Sequence, residues 1–373
     1  MNSNPKVLLI QLFSNGDCLY ATVIAKQLKK DFGNCHLTWV IAEYCKDIIS
    51  NNPFVDEVIT IERINFKNWK EHWPSFTKRV KDWEDSKTFD HIFLTQIIDT
   101  NFANYDYCIR SAIYRAYSGP IDLPVTPILR LTDTELQNVK NFALQHGLEN
   151  FKDVILLEFA PRSGQARFSL ETAVSIIEKL REYSSTVFIL SSNTKITSGH
   201  SSIIDGSVLS LRETAALARY CSLLVGCSSG ITWVTTSEAG KKLNMIQISD
   251  PDAYWMNSVV EDHKRYGMPV DHIIEITDRS DERIFNCIKT VLDSGFYKAR
   301  ELFHTEIPVN FKVSRGIVSY LMGKGKIGAA IRHARINLNI YGPKLRLLKS
   351  LLLGFLIFPL TNLINSYKEK RRS

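Results

Sequence analysis

Residues 7–13 form a nearly unbroken apolar run, Val-Leu-Leu-Ile-Gln-Leu-Phe, and the chain then turns through Ser14-Asn15-Gly16-Asp17. Such a run predicts a strand buried on both faces of a parallel sheet. From residue 18 the apolar positions switch to helical spacing. That segment, 18–30, closes on Lys29-Lys30 ahead of Gly33, a C-terminal helix signal. Residues 36–42 and 57–61 read as further strands, with a short helix over 44–50 between them. A longer helix over 69–83 leads to a strand at 90–95. Alternation of the two periods predicts βαβ units and a parallel sheet.

The alternation stops at 119–127, where three prolines fall in nine residues, and this stretch is expected to be irregular. Thr132-Asp-Thr-Glu135 opens a helix that ends near Gly147. Strands then follow at 153–159, 186–190, 221–226 and 244–248, with helices at 169–183, 212–220, 231–240 and 281–292. A second α/β unit is therefore expected. The chain divides into an N-terminal domain over 1–130, a C-terminal domain over 131–297 and a tail over 298–373. Two such domains in tandem place a cleft between them, near the carboxyl ends of both sets of strands.

Composition adds limits. The 373 residues are 45% hydrophobic and 23% charged, enough for two sizeable cores. The seven cysteines are scattered without C-x-x-C spacing and the nine histidines without H-E-x-x-H. Reduced thiols are expected, and neither a disulfide frame nor a metal site. The first apolar run is too short and too directly followed by a turn to read as a secretory leader. The net charge of +7 is uneven. Residues 298–373 hold fifteen Lys/Arg and three Glu, a net of +12, so the first 297 residues sum to −5. The basic end suits an anionic surface. Nothing in the rest of the chain calls for a nucleic-acid partner.

Three places carry candidate chemistry. Asp17 follows the first strand, where a carboxylate can cap a helix or take a proton from a hydroxyl at the mouth of the cleft. Gly226-Cys-Ser-Ser-Gly-Ile-Thr232 runs from a strand into a helix. Its amides around Ser228, Ser229, Gly230, Ile231 and Thr232 can meet an anion, or it is an ordinary serine-capped turn. It is neither G-x-G-x-x-G nor a Walker loop, so nicotinamide or ATP chemistry is not predicted. The loop at 160–168 offers Arg162 and Arg167, whose guanidinium groups suit a diphosphate.

The opening strand and its Ser-Asn-Gly-Asp turn, the strand at 36–42, the string Asn52-Pro-Phe-Val-Asp-Glu-Val-Ile59 and the later Leu224-Val-Gly-Cys-Ser-Ser-Gly-Ile-Thr232 together resemble glycosyltransferase family 9, the heptosyltransferases of lipopolysaccharide synthesis. The resemblance covers roughly 5–295. It implies a GT-B fold, with two Rossmann-like domains facing a cleft. The N-terminal domain would hold the acceptor and the C-terminal domain a nucleotide-sugar donor, with no metal and no cofactor beyond that co-substrate. Asp17 would be the catalytic base, with Asn15 and Gly16 in the acceptor-side turn. Arg167 and the stretch Ser228–Thr232 would bind the donor diphosphate. Two strings depart from the family pattern. Ala166-Arg167-Phe168 stands for Lys-Arg-Trp, and Ser228-Ser-Gly-Ile-Thr-Trp233 stands for Asp-Thr-Gly-x-Thr/Ser-His. The resemblance therefore does not carry a heptose donor over, and a catalytically inactive scaffold on the same fold is the rival reading. A nucleotide-sugar epimerase is a third.

In the tail, residues 350–367 are eighteen consecutive uncharged positions, with basic residues on both sides. Gly354 and Pro359 interrupt the run, and the flanks are not one-sided as for a spanning helix. A helix or kinked hairpin lying on anionic lipid is expected, which would place the protein peripherally on the cytoplasmic face of an inner membrane, near a lipid-linked glycan acceptor.

Overall fold

The computed structural model describes residues 4–65, 67–161, 168–192, 195–196, 202–253 and 258–370, those from 358 onward by backbone alone. Among the described residues ten parallel strands lie in two sheets. The first contains β1 (Lys6–Ile10), β2 (His36–Ala42), β3 (Glu57–Ile61) and β4 (His91–Leu94), in the order β3-β2-β1-β4. The second contains β5 (Asp153–Glu158), β6 (Thr186–Ser191), β7 (Ile203–Asp205), β8 (Leu223–Gly226), β9 (Asn244–Ile248) and β10 (Ile273–Ile276), in the order β10-β9-β8-β5-β6-β7. The central strands are buried on both faces, which is why they read as apolar runs rather than alternations.

In each sheet the chain winds outward one way and then reverses. The reversal lies between β1 and β4 in the first sheet and between β5 and β8 in the second. Crevices at the carboxyl ends of strands open at such switch points. The turn at 14–17 leaves β1, and the loop at 227–229 leaves β8, so both fall there.

The C-terminal region returns across the molecule. Helices Lys312–Gly323 and Ile327–Tyr341 pack on the N-terminal lobe at 99–105. Tyr320 donates its hydroxyl to Asp99 at 3.0 Å, and Asn337 donates to the Tyr105 carbonyl at 3.1 Å. The last helix, Leu345–Lys370, runs unbroken through Gly354 and Pro359, not as a kinked hairpin. It packs on Lys312–Gly323, where a β-carbon on Gly354 would meet Val318 Cβ at 2.7 Å and the Arg315 carbonyl at 3.0 Å. The glycine is thus a point of close helix approach rather than a break. Among the described residues no helix is long and apolar enough to cross a membrane.

Candidate functional site

Gln11 and Gln96 shape the end of β1. Gln11 donates to the Gln96 side-chain oxygen at 2.9 Å. That same oxygen accepts the amides of Leu12 and Phe13 at 2.8 and 2.9 Å. Past the last ladder bond, the backbone is thus anchored by a side chain from beside β4, and the turn leaves the sheet in a fixed direction. Ser14 has a positive φ of 70° with ψ 109°, a sparsely populated backbone conformation that costs about 1–3 kcal/mol in a non-glycine residue.

The helix begins at Asn15, two residues before Asp17, and runs to Asp31. Asp17 therefore sits in the first turn and is not its cap. The carboxylate is partly buried, and no described residue donates to it or pairs with it. Burial alone pushes its pKa from 3.8 up to about 7. The helix dipole favours the ionised form here, but loss of water outweighs it. The neighbouring Asn15 side-chain oxygen is buried without a partner among the described residues.

The loop after β8 is built around two side chains absent from the sequence reading, Glu158 and Gln247. Glu158, the last residue of β5, accepts the Cys227 amide at 3.1 Å and the Thr232 hydroxyl at 3.4 Å, and also takes the Ser229 hydroxyl. Gln247 of β9 accepts the Ser228 amide at 2.8 Å and the Thr232 hydroxyl at 3.2 Å. Gly226 makes this cluster possible, because a β-carbon there would lie 2.8 Å from the Thr232 hydroxyl and 3.1 Å from Glu158. Ser228 is left-handed, with φ 55°. Burial raises Glu158 from 4.5 to about 7 against the Cys227 amide and the Thr232 hydroxyl, which favour its ionised form. A charged residue closing an apolar strand was the available signal, since such residues are seldom buried without a task.

These contacts qualify the expectation at 228–232. The amides of Cys227 and Ser228 are already engaged by side chains. The helix that follows is only Gly230–Thr235, shorter than the 231–240 expected. Arg162 and Arg167 lie outside the described residues.

The two turns meet at the seam between the lobes. A β-carbon on Gly16 would contact Trp233 Cδ1 at 3.3 Å, and one on Gly230 would lie 3.9 Å from Asn15 Cβ. Trp233 also packs edge-on against Tyr20, with ring centroids 5.0 Å apart, and donates to the Ser228 carbonyl at 3.2 Å. Asn15, Gly16, Ser228, Ser229 and Gly230 are thus gathered in one place from opposite lobes. Among the described residues no group of three or more His, Cys, Asp or Glu is arranged to hold a metal ion.

Two parallel-sheet α/β lobes meeting at their switch points define a GT-B type architecture. In fold the chain is similar to the crystal structure of the glycosyl transferase family 9 from Veillonella parvula DSM 2008, at 14% identity over 86% of this chain and 98% of that one, with a TM-score of 0.53. It is similar also to the E. coli ADP-heptose lps heptosyltransferase II, at 14% identity over 77% of this chain and 98% of that one, with a TM-score of 0.51. No protein-family model and no curated protein matches the sequence.

Proposed function

We propose that the protein is an inverting, metal-independent glycosyltransferase that moves a sugar from a nucleotide-sugar donor to a lipid-linked surface glycan. The observation that carries this reading is Asp17, a desolvated carboxylate with a pKa of about 7, beside the seam where Gly16 meets Trp233. A base poised near neutrality can accept a proton from a hydroxyl as that hydroxyl attacks. The acceptor oxygen bonds to the anomeric carbon from the face opposite the leaving group. The bond to the diphosphate breaks, its electron pair stays on the phosphate oxygen, and the acceptor's proton ends on Asp17. Asn15 and Gly16 line the acceptor side. Arg167 and the stretch Ser228–Thr232 offset the negative charge growing on the diphosphate.

The C-terminal region supports a membrane-surface acceptor. Leu345, Leu348, Leu352 and Leu356 are exposed along one side of the last helix, Leu345 by 81%. Lys344, Arg346 and Lys349 are exposed beside them. An apolar stripe edged with cations suits the surface of an anionic bilayer, and we place the protein peripherally on the cytoplasmic face of an inner membrane.

A specific observation favours the rival reading, a donor-binding scaffold without activity. Glu158 puts a carboxylate beneath the loop assigned to the diphosphate and takes the Cys227 amide and the Ser229 and Thr232 hydroxyls there. The test is a panel of nucleotide sugars, read first by thermal shift and then by sugar transfer to membrane lipid extracts. Transfer by the parent and its loss in Asp17→Asn supports the transferase. A thermal shift without transfer supports the scaffold, and neither response ends both. Sedimentation with vesicles containing anionic lipid, but not with zwitterionic vesicles, is expected, and Leu348→Gln/Leu352→Gln should weaken it.

A further inference from the structure

A buried charge pair crosses the seam. Arg110, on helix Ile109–Tyr117 of the first lobe, and Asp262, on helix Val259–Arg265 of the second, are each 1% exposed, with their charged atoms 3.0 Å apart. The guanidinium lies over three rings, 4.6 Å from the centroid of Tyr20, 5.5 Å from Tyr266 and 5.8 Å from Trp233. It also donates to the Val125 carbonyl at 3.0 Å, and Asp262 accepts from the Cys108 thiol at 3.4 Å. Tyr20 belongs to the helix that bears Asp17. Trp233 belongs to the short helix that Gly230 opens directly after Ser228 and Ser229, and is itself the group that meets Gly16. One side chain therefore touches both halves of the candidate site from behind.

We infer that Arg110 and Asp262 form a positioning pair that sets the angle between the lobes, and with it the placement of Asp17 relative to the 228–232 loop. The inference rests on the transferase reading only for its consequence in turnover. Its structural part stands by itself. Burying two charges is costly, and the attraction between them seldom makes such a pair a net source of stability. What a planar guanidinium supplies at this spot is geometry: one nitrogen beside a carboxylate of the other lobe, another donating to a carbonyl of its own, and a flat cation within 4.6–5.8 Å of three ring centroids. Lysine keeps the charge but offers neither the two separate terminal nitrogens nor the flat face. A second arginine works in the opposite direction at another part of the seam. Arg212, from the second lobe, donates to the carbonyls of Asp47 and Ser50 at 2.8 and 3.2 Å. Arg110 is the one that contacts residues on both sides of the candidate site.

The experiment measures the distance between the lobes with spin labels at Lys78→Cys and Glu178→Cys, both exposed and on opposite lobes, while the seven native cysteines are buried. The variants are Arg110→Lys and the doubly neutral Arg110→Met/Asp262→Leu, which leaves no lone buried charge and so keeps the fold testable. The parent is expected to give one narrow distance peak. Both variants should broaden or shift it while retaining a cooperative melt, and in a transfer assay kcat should fall at least tenfold with donor KM changed less than threefold. Peaks that coincide with the parent's in both variants would overturn the inference. If the peaks broaden while the parent itself transfers no sugar, the positioning pair stands and the transferase reading falls.

Discussion

The indole of Trp233 lies over Gly16, close enough that a β-carbon on the glycine would meet Cδ1 at 3.3 Å. This contact joins the first helical turn of the N-terminal lobe to the short helix Gly230–Thr235 of the second, and it leaves little room for a side chain at the residue before Asp17. Alanine at Gly16 asks the ring to move by a few tenths of an ångström and gains about 0.5–1 kcal/mol of helix preference. Valine adds two more methyl-sized groups against the same ring. Gly16→Ala is therefore expected within about 1 kcal/mol of the parent, and Gly16→Val about 1–3 kcal/mol less stable. Urea unfolding measures both, and equal stabilities would show that the ring is not confined there.

Asp17 gives a prediction with a definite sign. Its pKa in the fold is about 7, against an ordinary 3.8. Below pH 4 the carboxyl is protonated in both folded and unfolded chains and costs nothing. Between pH 4 and 7 the unfolded chain ionises and the folded one resists, so stability falls as pH rises, and the loss is complete above 7. Asparagine cannot ionise. Asp17→Asn should match the parent near pH 4 and exceed it by about 2–4 kcal/mol at pH 8. Unfolding curves at the two pH values test this. Transfer should show the opposite trend, rising in the parent from pH 6 to 8 and absent in the variant. A stability gap that does not widen with pH would mean that Asp17 is not held in a desolvated position.

The parallel sheets were legible because their central strands, buried on both faces, are largely apolar runs, and the edge strand 57–61 because β-branched residues fill it. The expected strands at 36–42, 57–61 and 244–248 match the observed bounds residue for residue. The strand Ile273–Ile276 was missed. It is four residues long, and its Glu275 is a buried carboxylate that accepts the Ser258 hydroxyl and the Val260 amide, pushed up to about 7 by burial. A charged residue in so short a run hides the period. Helix Ile109–Tyr117 was also missed, and Arg110 within it is buried as half of an interlobe pair rather than solvated. In the candidate site, the turn at 14–17 and the loop at 226–232 could be found locally, because small and polar residues follow apolar runs. Their supports could not. Glu158 lies 69 residues from the amide it accepts, and Gln96 lies 84 and 83 residues from Leu12 and Phe13. Such pairings exist only once strand order is known.

Gly354 tests whether the last helix docks as described. A β-carbon there would overlap Val318 at 2.7 Å and press on the Arg315 carbonyl at 3.0 Å, and backbone on one side leaves no flexible group to yield. Gly354→Val should lift Leu345–Lys370 from Lys312–Gly323, exposing Leu347 and Leu351, which are buried in the docked state. The cost is about 1–3 kcal/mol, confined to this region. Hydrogen exchange should accelerate in the amides of 345–357 while those of β1 and β5 keep their protection. Unchanged exchange in 345–357 would contradict the packing.

The sharpest test of the second lobe is Glu158, because its carboxylate has two opposed consequences. It holds the loop by accepting from the Cys227 amide and from the hydroxyls of Ser229 and Thr232. Alanine would leave the buried Cys227 amide without its acceptor and take one from the part-buried Ser229 hydroxyl, while Thr232 keeps Gln247, at about 1–3 kcal/mol for each donor that finds no water. Stability should fall by about 2–4 kcal/mol in all, and the loop should lose its left-handed Ser228. Glutamine keeps one acceptor oxygen and removes the charge, so its cost should be near 1 kcal/mol. The two variants then separate shape from charge in nucleotide-sugar binding. If the loop receives a diphosphate, Glu158→Gln should bind a nucleotide sugar at least as tightly as the parent, because a buried negative charge has gone, while Glu158→Ala should bind it more weakly because the loop has loosened. Calorimetric titration of both with the sugar that stabilises the parent reads this directly. Equal affinity across parent, glutamine and alanine would place the diphosphate elsewhere and remove Ser228–Thr232 from the donor site.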